Sequence, residues 1–168
     1  MDYTFILGTH PAWSVAEIAA VLGESGLFWE SERILVKKEA QIVADSLIKK
    51  LGGTLKIGQI EAMLPVSTPF PQIAKQCASL LINKGVRGEG KLVFGLSDHG
   101  VGGRFEAEKL GLNIKKELKA AGVSARLVTS KEKELSSVVV GQNKLLSKGA
   151  ELIFFRHNQD LFIVRTLA

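Results

Sequence analysis

The stretch ELSSVVVGQNKLLSKGAEL, Glu134 to Leu152, gathers side chains able to hold an anion. On a helical wheel at about 100° per residue, Ser137, Gly141, Lys144 and Lys148 share one side. Val138, Val139, Leu145 and Leu146 share another. The first side offers a hydroxyl near the helix start, a bare backbone position and two ammonium groups. A helix start adds unpaired N–H groups and the positive end of the macrodipole. Phosphate is the anion this set suits best. Gly141 costs about 1 kcal/mol of helix propensity relative to alanine, which a close approach by a ligand or backbone would justify. Ser136 and Ser137 are natural N-caps, and no general base is placed by the sequence to make either a nucleophile. The same residues also fit a solvated lysine face behind an ordinary serine cap.

Other chemistry is thinner. His99–Gly103, HGVGG, follows a strand pattern and precedes a helical one, where a nucleotide-binding glycine loop would sit. It falls short of the full Gly-x-Gly-x-x-Gly, and the next strand pattern ends in Ser130-Lys131 where a ribose-binding acid is expected. A second functional reading rests on it: an enzyme or regulatory domain binding a small phosphorylated ligand through residues 99–103, with Arg104 at the edge. His10, His99 and His157 are far apart and suggest no metal site. Asp98 and His99 are adjacent on a strand end and point to opposite sides, a weak acid–base pair. The single cysteine, Cys77, shares a helical face with Ile73, Leu80 and Leu81 and reads as a buried small hydrophobe. The Pro-Pro-aromatic motif common in methyl transfer to exocyclic base amines is missing, so that chemistry needs another domain.

Several elements must position these groups. YTFILGT, RILVKKE and TLKIGQIEAML read as strands. SVAEIAAVLG reads as a helix opened by a Ser14/Glu17 capping box. AQIVADSLIKKLGG carries Ala40, Val43, Ala44, Leu47, Ile48 and Leu51 at helical spacing and stops at two glycines. One further strand would complete a split β-α-β layout, ferredoxin-like in outline. Three of the four prolines then fall in PVSTPFPQ, which sets a boundary between residues 1–65 and 66–168. The second part reads α-β-α-β-α-β-β: QIAKQCASLLINKG, KLVFGLS, EAEKLGLNIKKELKAAG, ARLVTS, the opening stretch, and a final hairpin turning at HNQD. The fold class is α+β.

The chain has 168 residues and a net charge of +5, with no apolar run long enough to span a bilayer. Residues 1–66 hold 6 Lys+Arg against 8 Asp+Glu, whereas residues 67–168 hold 16 against 9. An asymmetry of that kind points to a polyanion meeting the second part. Lys115, Lys116 and Lys119 line a helix, Arg126 opens a strand, and Lys131 and Lys133 follow in a loop. Together they suggest one basic surface tracking a nucleic-acid backbone. Aromatics for base stacking are scarce there, since at most one of Phe154 and Phe155 is free in an alternating hairpin. Lone cysteine usage and an N-terminus without a secretory pattern suit the cytoplasm.

FGLSDHG followed by GLNIKKELKAAGVSARLVTSKEKELSSVVVGQNKLLSKGAEL resembles the THUMP domain of archaeal and eukaryotic-type tRNA guanine-N2 methyltransferases. LSSVVV-x-x-N-x-L-x-x-x-G-x-E is its most specific part. YTFILGTHPAWSVAEIAAVL resembles the opening of the same enzymes, in which a small ferredoxin-like domain precedes THUMP. The resemblance implies an N-terminal ferredoxin-like domain followed by a THUMP-type α/β domain. It also implies a non-catalytic module that grips the 3′ acceptor end of tRNA. The tRNA would be presented to a methyltransferase domain that uses S-adenosylmethionine. That domain follows THUMP in the family, and here the chain stops at IVRTLA, as a fragment or as a free-standing module with a partner. The match carries Arg126, Ser136, Ser137, Asn143 and Lys144 over as RNA contacts.

Overall fold

The computed structural model describes residues 1–83, 90–102 and 105–168. Two compact units divide them, one of Met1–Ile60 with Val164–Ala168 and the other of Glu61–Ile163.

The first unit runs β1 (Tyr3–Leu7), α1 (Pro11–Leu22), β2 (Leu27–Ser31), β3 (Ile34–Lys37), α2 (Ala44–Leu47) and the start of β4 (Thr54–Pro65). Its strands lie in the order β2-β3-β1-β4, each neighbouring pair antiparallel. Tyr3, Phe5 and Leu7 alternate onto one face of β1 and pack with Ile18, Leu35, Leu47 and Ile57. Period-two spacing puts all three on that face, so one strand supplies the centre of this core. β2 has no counterpart in the sequence reading: LFWES leaves Phe28 and Trp29 exposed, so it lacks the buried alternation that marks a strand.

Two further expectations fail here. The helix over AQIVADSLIKKLGG is only the four residues of α2. Glu39 takes a left-handed φ of 52°, and the Ala40 N–H donates to Met1 O at 2.9 Å. Val43, β-branched, is extended at φ −94° and ψ 92°, and the helix starts only after it. The apolar spacing survives, because Ala44, Leu47 and Leu51 are buried, but the backbone reaches the core without a long helix. Ser14 and Glu17 form no capping box. α1 starts earlier, with Pro11 in its first turn and His10 as an N-cap whose side chain caps nothing. Ser14 therefore lies inside the helix, and its hydroxyl donates to Gly53 O at 2.8 Å, with His10 O also within reach at 3.2 Å. Glu17 accepts from the N–H groups of Gly52 (2.8 Å) and Gly53 (3.1 Å).

The second unit follows the expected element order: α3 (Phe70–Asn83), β5 (Leu92–Asp98), α4 (Ala107–Ala120), β6 (Ala125–Val128), α5 (Ser137–Gln142), β7 (Gly149–His157) and the start of β8 (Asp160–Thr166). β5 is parallel to both β6 and β7, and β7 also neighbours β8. Helices occupy both faces. α3 and α4 cover one through Ile73, Cys77, Leu110 and Ile114, packed on Phe94, Leu152 and Phe154. α5 and the turn after it cover the other through Val140 and Leu145, which pack with Val128 and Leu135. Gly95 makes that second contact possible, because a Cβ there would collide with Leu135 Cδ1.

Candidate nucleic-acid interface

The opening stretch folds differently from the wheel. α5 is six residues long, from Ser137 to Gln142. Ser136 is its N-cap, accepting from the Val139 N–H at 3.3 Å. The helix then closes on a Schellman motif. Lys144 takes φ 54°, its N–H donates to Gly141 O at 3.0 Å, and the Leu145 N–H donates to Val140 O at 3.0 Å. Val140 and Leu145 pack together beneath it, which is the apolar contact that accompanies this cap. The straight stripe Ser137–Gly141–Lys144–Lys148 is therefore bent at Lys144, and a six-residue helix supplies little macrodipole. All four residues are exposed. Among the described residues, nothing beyond its own helix lies within 4 Å of a Cβ built on Gly141, so no tertiary contact there explains that glycine.

Arg126 and Asn143 are brought together. The Arg126 Nη2 donates to Asn143 Oδ1 at 3.0 Å, while Asn143 Nδ2 donates to Val139 O at 2.9 Å. The pair places a guanidinium on the α5 side of β6, beside the turn that carries Lys144. Lys115 and Lys116 do not join it. Both are exposed on α4, which packs on the opposite face of this unit's strands. Lys115 and Lys119 instead flank a cleft of about 400 Å³ with Lys91, near Gly122 and Ser124. Lys131 and Lys133 line a third place, a cleft of about 280 Å³ at the start of α4 that also holds Glu106, Glu108 and Glu132. The expected single basic surface is thus divided. Alternation along ARLV sends Arg126 and Leu127 to opposite faces, a consequence of strand period that summing charges does not register.

The loop that precedes α5 is tied down from beneath. Ser97 Oγ donates to Glu151 Oε1 at 2.6 Å and accepts from the Leu135 N–H at 2.9 Å, with Ser97 and Glu151 both fully buried. The Asp98 N–H donates to Lys133 O at 2.9 Å, and His99 Nδ1 stands 3.4 Å from a Glu134 carboxylate oxygen. Asp98 and His99 thus serve separate partners. Asp98 Oδ1 accepts from the N–H groups of Gly100 (3.1 Å) and Val101 (2.8 Å). Two donors of the glycine loop are spent inside the loop, which weighs against its use as a phosphate cradle. Gly103 and Arg104, the rest of that reading, lie outside the described residues. Cys77 is buried, and burial pushes its thiol up to about 12. Among the described residues no three His, Cys, Asp or Glu side chains gather as a metal site. Phe154 and Phe155 are both buried, and Phe155 stacks on Phe162 at 4.7 Å between centroids.

The largest exposed aromatics lie elsewhere. Trp13, Phe28 and Trp29 belong to the first unit, and Trp13 is 79% exposed. It stands beside a cleft of about 610 Å³ that Ser14, Arg33, Gly53 and Leu55 also line. Sequence reasoning passed over Trp13 because it sits one residue before the supposed start of its helix.

No family model matches the chain, and no curated protein matches it either. Solved structures do. TrmN from Thermus thermophilus superposes over 100% of this chain with a TM-score of 0.64 at 11% identity, using 46% of its own length. PH1313 from Pyrococcus horikoshii Ot3 covers 98% of this chain with a TM-score of 0.57 at 11% identity, over 54% of its length. A 4-thiouridine synthetase solved as an RNA complex with bound ATP covers 98% with a TM-score of 0.55 at 11% identity, over 40% of its length. At such identities the likeness is one of fold, and the chain spans about half the length of these proteins.

Proposed function

We propose that this chain is an RNA-binding module of a tRNA-modifying system, a ferredoxin-like domain over residues 1–65 followed by a THUMP-type domain over residues 66–168. The carrying observation is the fold likeness across essentially the whole chain to TrmN and to a 4-thiouridine synthetase caught with RNA. The charge distribution supports it, since the excess of Lys and Arg lies in the part that resembles THUMP. So does the LSSVVV motif, whose Ser136 cap and Lys144 turn present their polar groups outward.

The ligand in this reading is tRNA, held at its 3′ acceptor end. Arg126, Ser136, Ser137, Asn143, Lys144 and Lys148 form the principal contact patch around α5. Gly141 leaves room there for a sugar or phosphate to approach the backbone. Lys131, in the cleft at the start of α4, is a second contact, and Lys115 and Lys116 act as a third set on α4. Modification chemistry belongs to a methyltransferase domain or subunit outside these residues, which uses S-adenosylmethionine. The module works in the cytoplasm, and among the described residues no helix is long and apolar enough to cross a membrane.

Substituting Lys144→Glu reverses a charge at the centre of the patch. The expected result is a fall in tRNA affinity of about tenfold, measured by filter binding, with an unchanged circular dichroism spectrum. Undiminished affinity in the folded variant removes the α5 patch as the site. Equal affinity for tRNA trimmed of its single-stranded 3′ end removes the acceptor-end assignment.

A further inference from the structure

We infer that the cleft at the start of α1 is a second RNA contact, which takes an unpaired base on the indole face of Trp13. The inference rests on the RNA-binding reading and adds to it a site on the unit that carries no positive excess.

The cleft's size falls within the ~300–1,000 Å³ typical of small-ligand sites. It measures about 610 Å³, with Trp13 and the half-exposed Leu55 as apolar walls. Gly8, Ser14, Gly52 and Gly53 supply a small-residue part of the wall, with Thr9, His10, Glu17 and Arg33 around it. The Gly8 N–H donates to Gly53 O at 2.8 Å, and the buried Ser14 hydroxyl donates to that same oxygen at 2.8 Å. Any side chain on Gly53 would collide with Ser14 Oγ, so glycine there lets the chain pass this close to α1. The indole therefore faces a preformed recess rather than open solvent alone.

The lining of the cleft suits a nucleotide. Among the described residues, Glu17 is the one acid on the cleft wall. Both its oxygens are engaged by the N–H groups of Gly52 and Gly53, which disperses their charge into the backbone. Arg33 stands at the rim with its Nε donating to Leu7 O at 3.3 Å, and this bond anchors the guanidinium beside the cleft. A flat apolar face next to a fixed cation matches a base and its phosphate, the pairing used by sequence-tolerant single-strand sites. The second unit cannot supply the stacking half, because none of its described large aromatics is exposed. A small aromatic metabolite would meet the indole face alone, whereas a nucleotide also reaches the Arg33 side chain at the rim. A protein partner would call for a broader apolar patch than one indole and one leucine.

The test uses intrinsic fluorescence. The protein has two tryptophans, so a Trp29→Phe variant leaves Trp13 as the only indole emitter. It is titrated with single-stranded oligoadenylate and with a blunt RNA duplex, while anisotropy of labelled RNA reports binding independently. The expected result is saturable quenching by the single strand and little by the duplex. Trp13→Ala lowers single-strand affinity about tenfold, equivalent to ~1.4 kcal/mol, and Trp13→Phe restores most of it. RNA that binds by anisotropy without quenching Trp13 overturns this site and leaves the α5 patch standing. RNA that fails to bind at all overturns both readings. Emission that instead shifts with protein concentration, without RNA, assigns the face to a second copy and also overturns the proposal.

Discussion

Lys144 answers two demands that a different residue would satisfy separately. Its φ of 54° places it in the region where glycine is the usual helix-ending residue, and its ammonium stands on the proposed RNA face. A side chain in the left-handed region costs about 1 kcal/mol, which a glycine avoids. Lys144→Gly is therefore expected to raise stability by about that amount in urea unfolding while lowering RNA affinity. A variant that gains neither stability nor loses affinity would contradict both roles. Cys77 gives a second residue-level expectation, of opposite electrostatic sense. Burial lifts its thiol from an ordinary 9.0 to about 12, so the folded protein keeps the proton that the unfolded chain releases. Above the lower value the unfolded state binds fewer protons, and linkage makes stability fall as pH rises from about 9 towards about 12. At mildly alkaline pH the native thiol should resist Ellman's reagent and react only after denaturant is added. Prompt reaction in the native state would show that the site opens.

At the scale of elements, the segment before α5 owes its position to a buried pair rather than to its own sequence. Ser97 links Glu151 on β7 to the backbone of Leu135, at 2.6 and 2.9 Å. Removing the hydroxyl takes one hydrogen bond from a buried carboxyl group and one from a buried N–H, a loss of ~1–3 kcal/mol. Ser97→Ala should show that loss in thermal unfolding, together with faster amide exchange at Leu135. Normal protection there would mean that the loop is held by its other bonds alone. Neither half of this pair was legible as such, because Ser97 and Glu151 are 54 residues apart in the chain. What could be read was local. The α4 pattern and the HNQD turn needed only short-range spacing and turn chemistry, and both elements appear where that spacing puts them. AQIVADSLIKKLGG misled for the same reason. Its period was right, but the hydrogen bond from Ala40 to Met1 and the φ of Glu39 are tertiary facts. The site followed suit: Ser136 was readable as a cap from its neighbours, whereas the Arg126–Asn143 bond needs β6 beside α5.

For the whole molecule, charge and aromatic surface are separated along the chain, with the positive excess after residue 66 and the exposed tryptophans before it. The two terms respond differently to salt. Phosphate contacts release counterions, so the log of affinity falls by ~0.7 per contact per log unit of salt for a single strand. Stacking on an indole is nearly salt-independent by comparison. If Arg126, Lys131, Lys144 and Lys148 each neutralise one phosphate, the slope is about −3, and affinity falls roughly 50-fold between 50 and 200 mM salt. Lys144→Glu with Lys148→Glu should flatten that slope by about 1.5. Trp13→Ala should instead lower affinity by a similar factor at every salt concentration and leave the slope where it was. Measuring the slope for the wild type and both variants, by anisotropy on one RNA, therefore assigns each unit its own contribution. A Trp13 variant that changes the slope would mean that Arg33 and the indole act as one electrostatic site. A lysine double variant with an unaltered slope would move the phosphate contacts away from α5, towards the Lys91, Lys115 and Lys119 cleft.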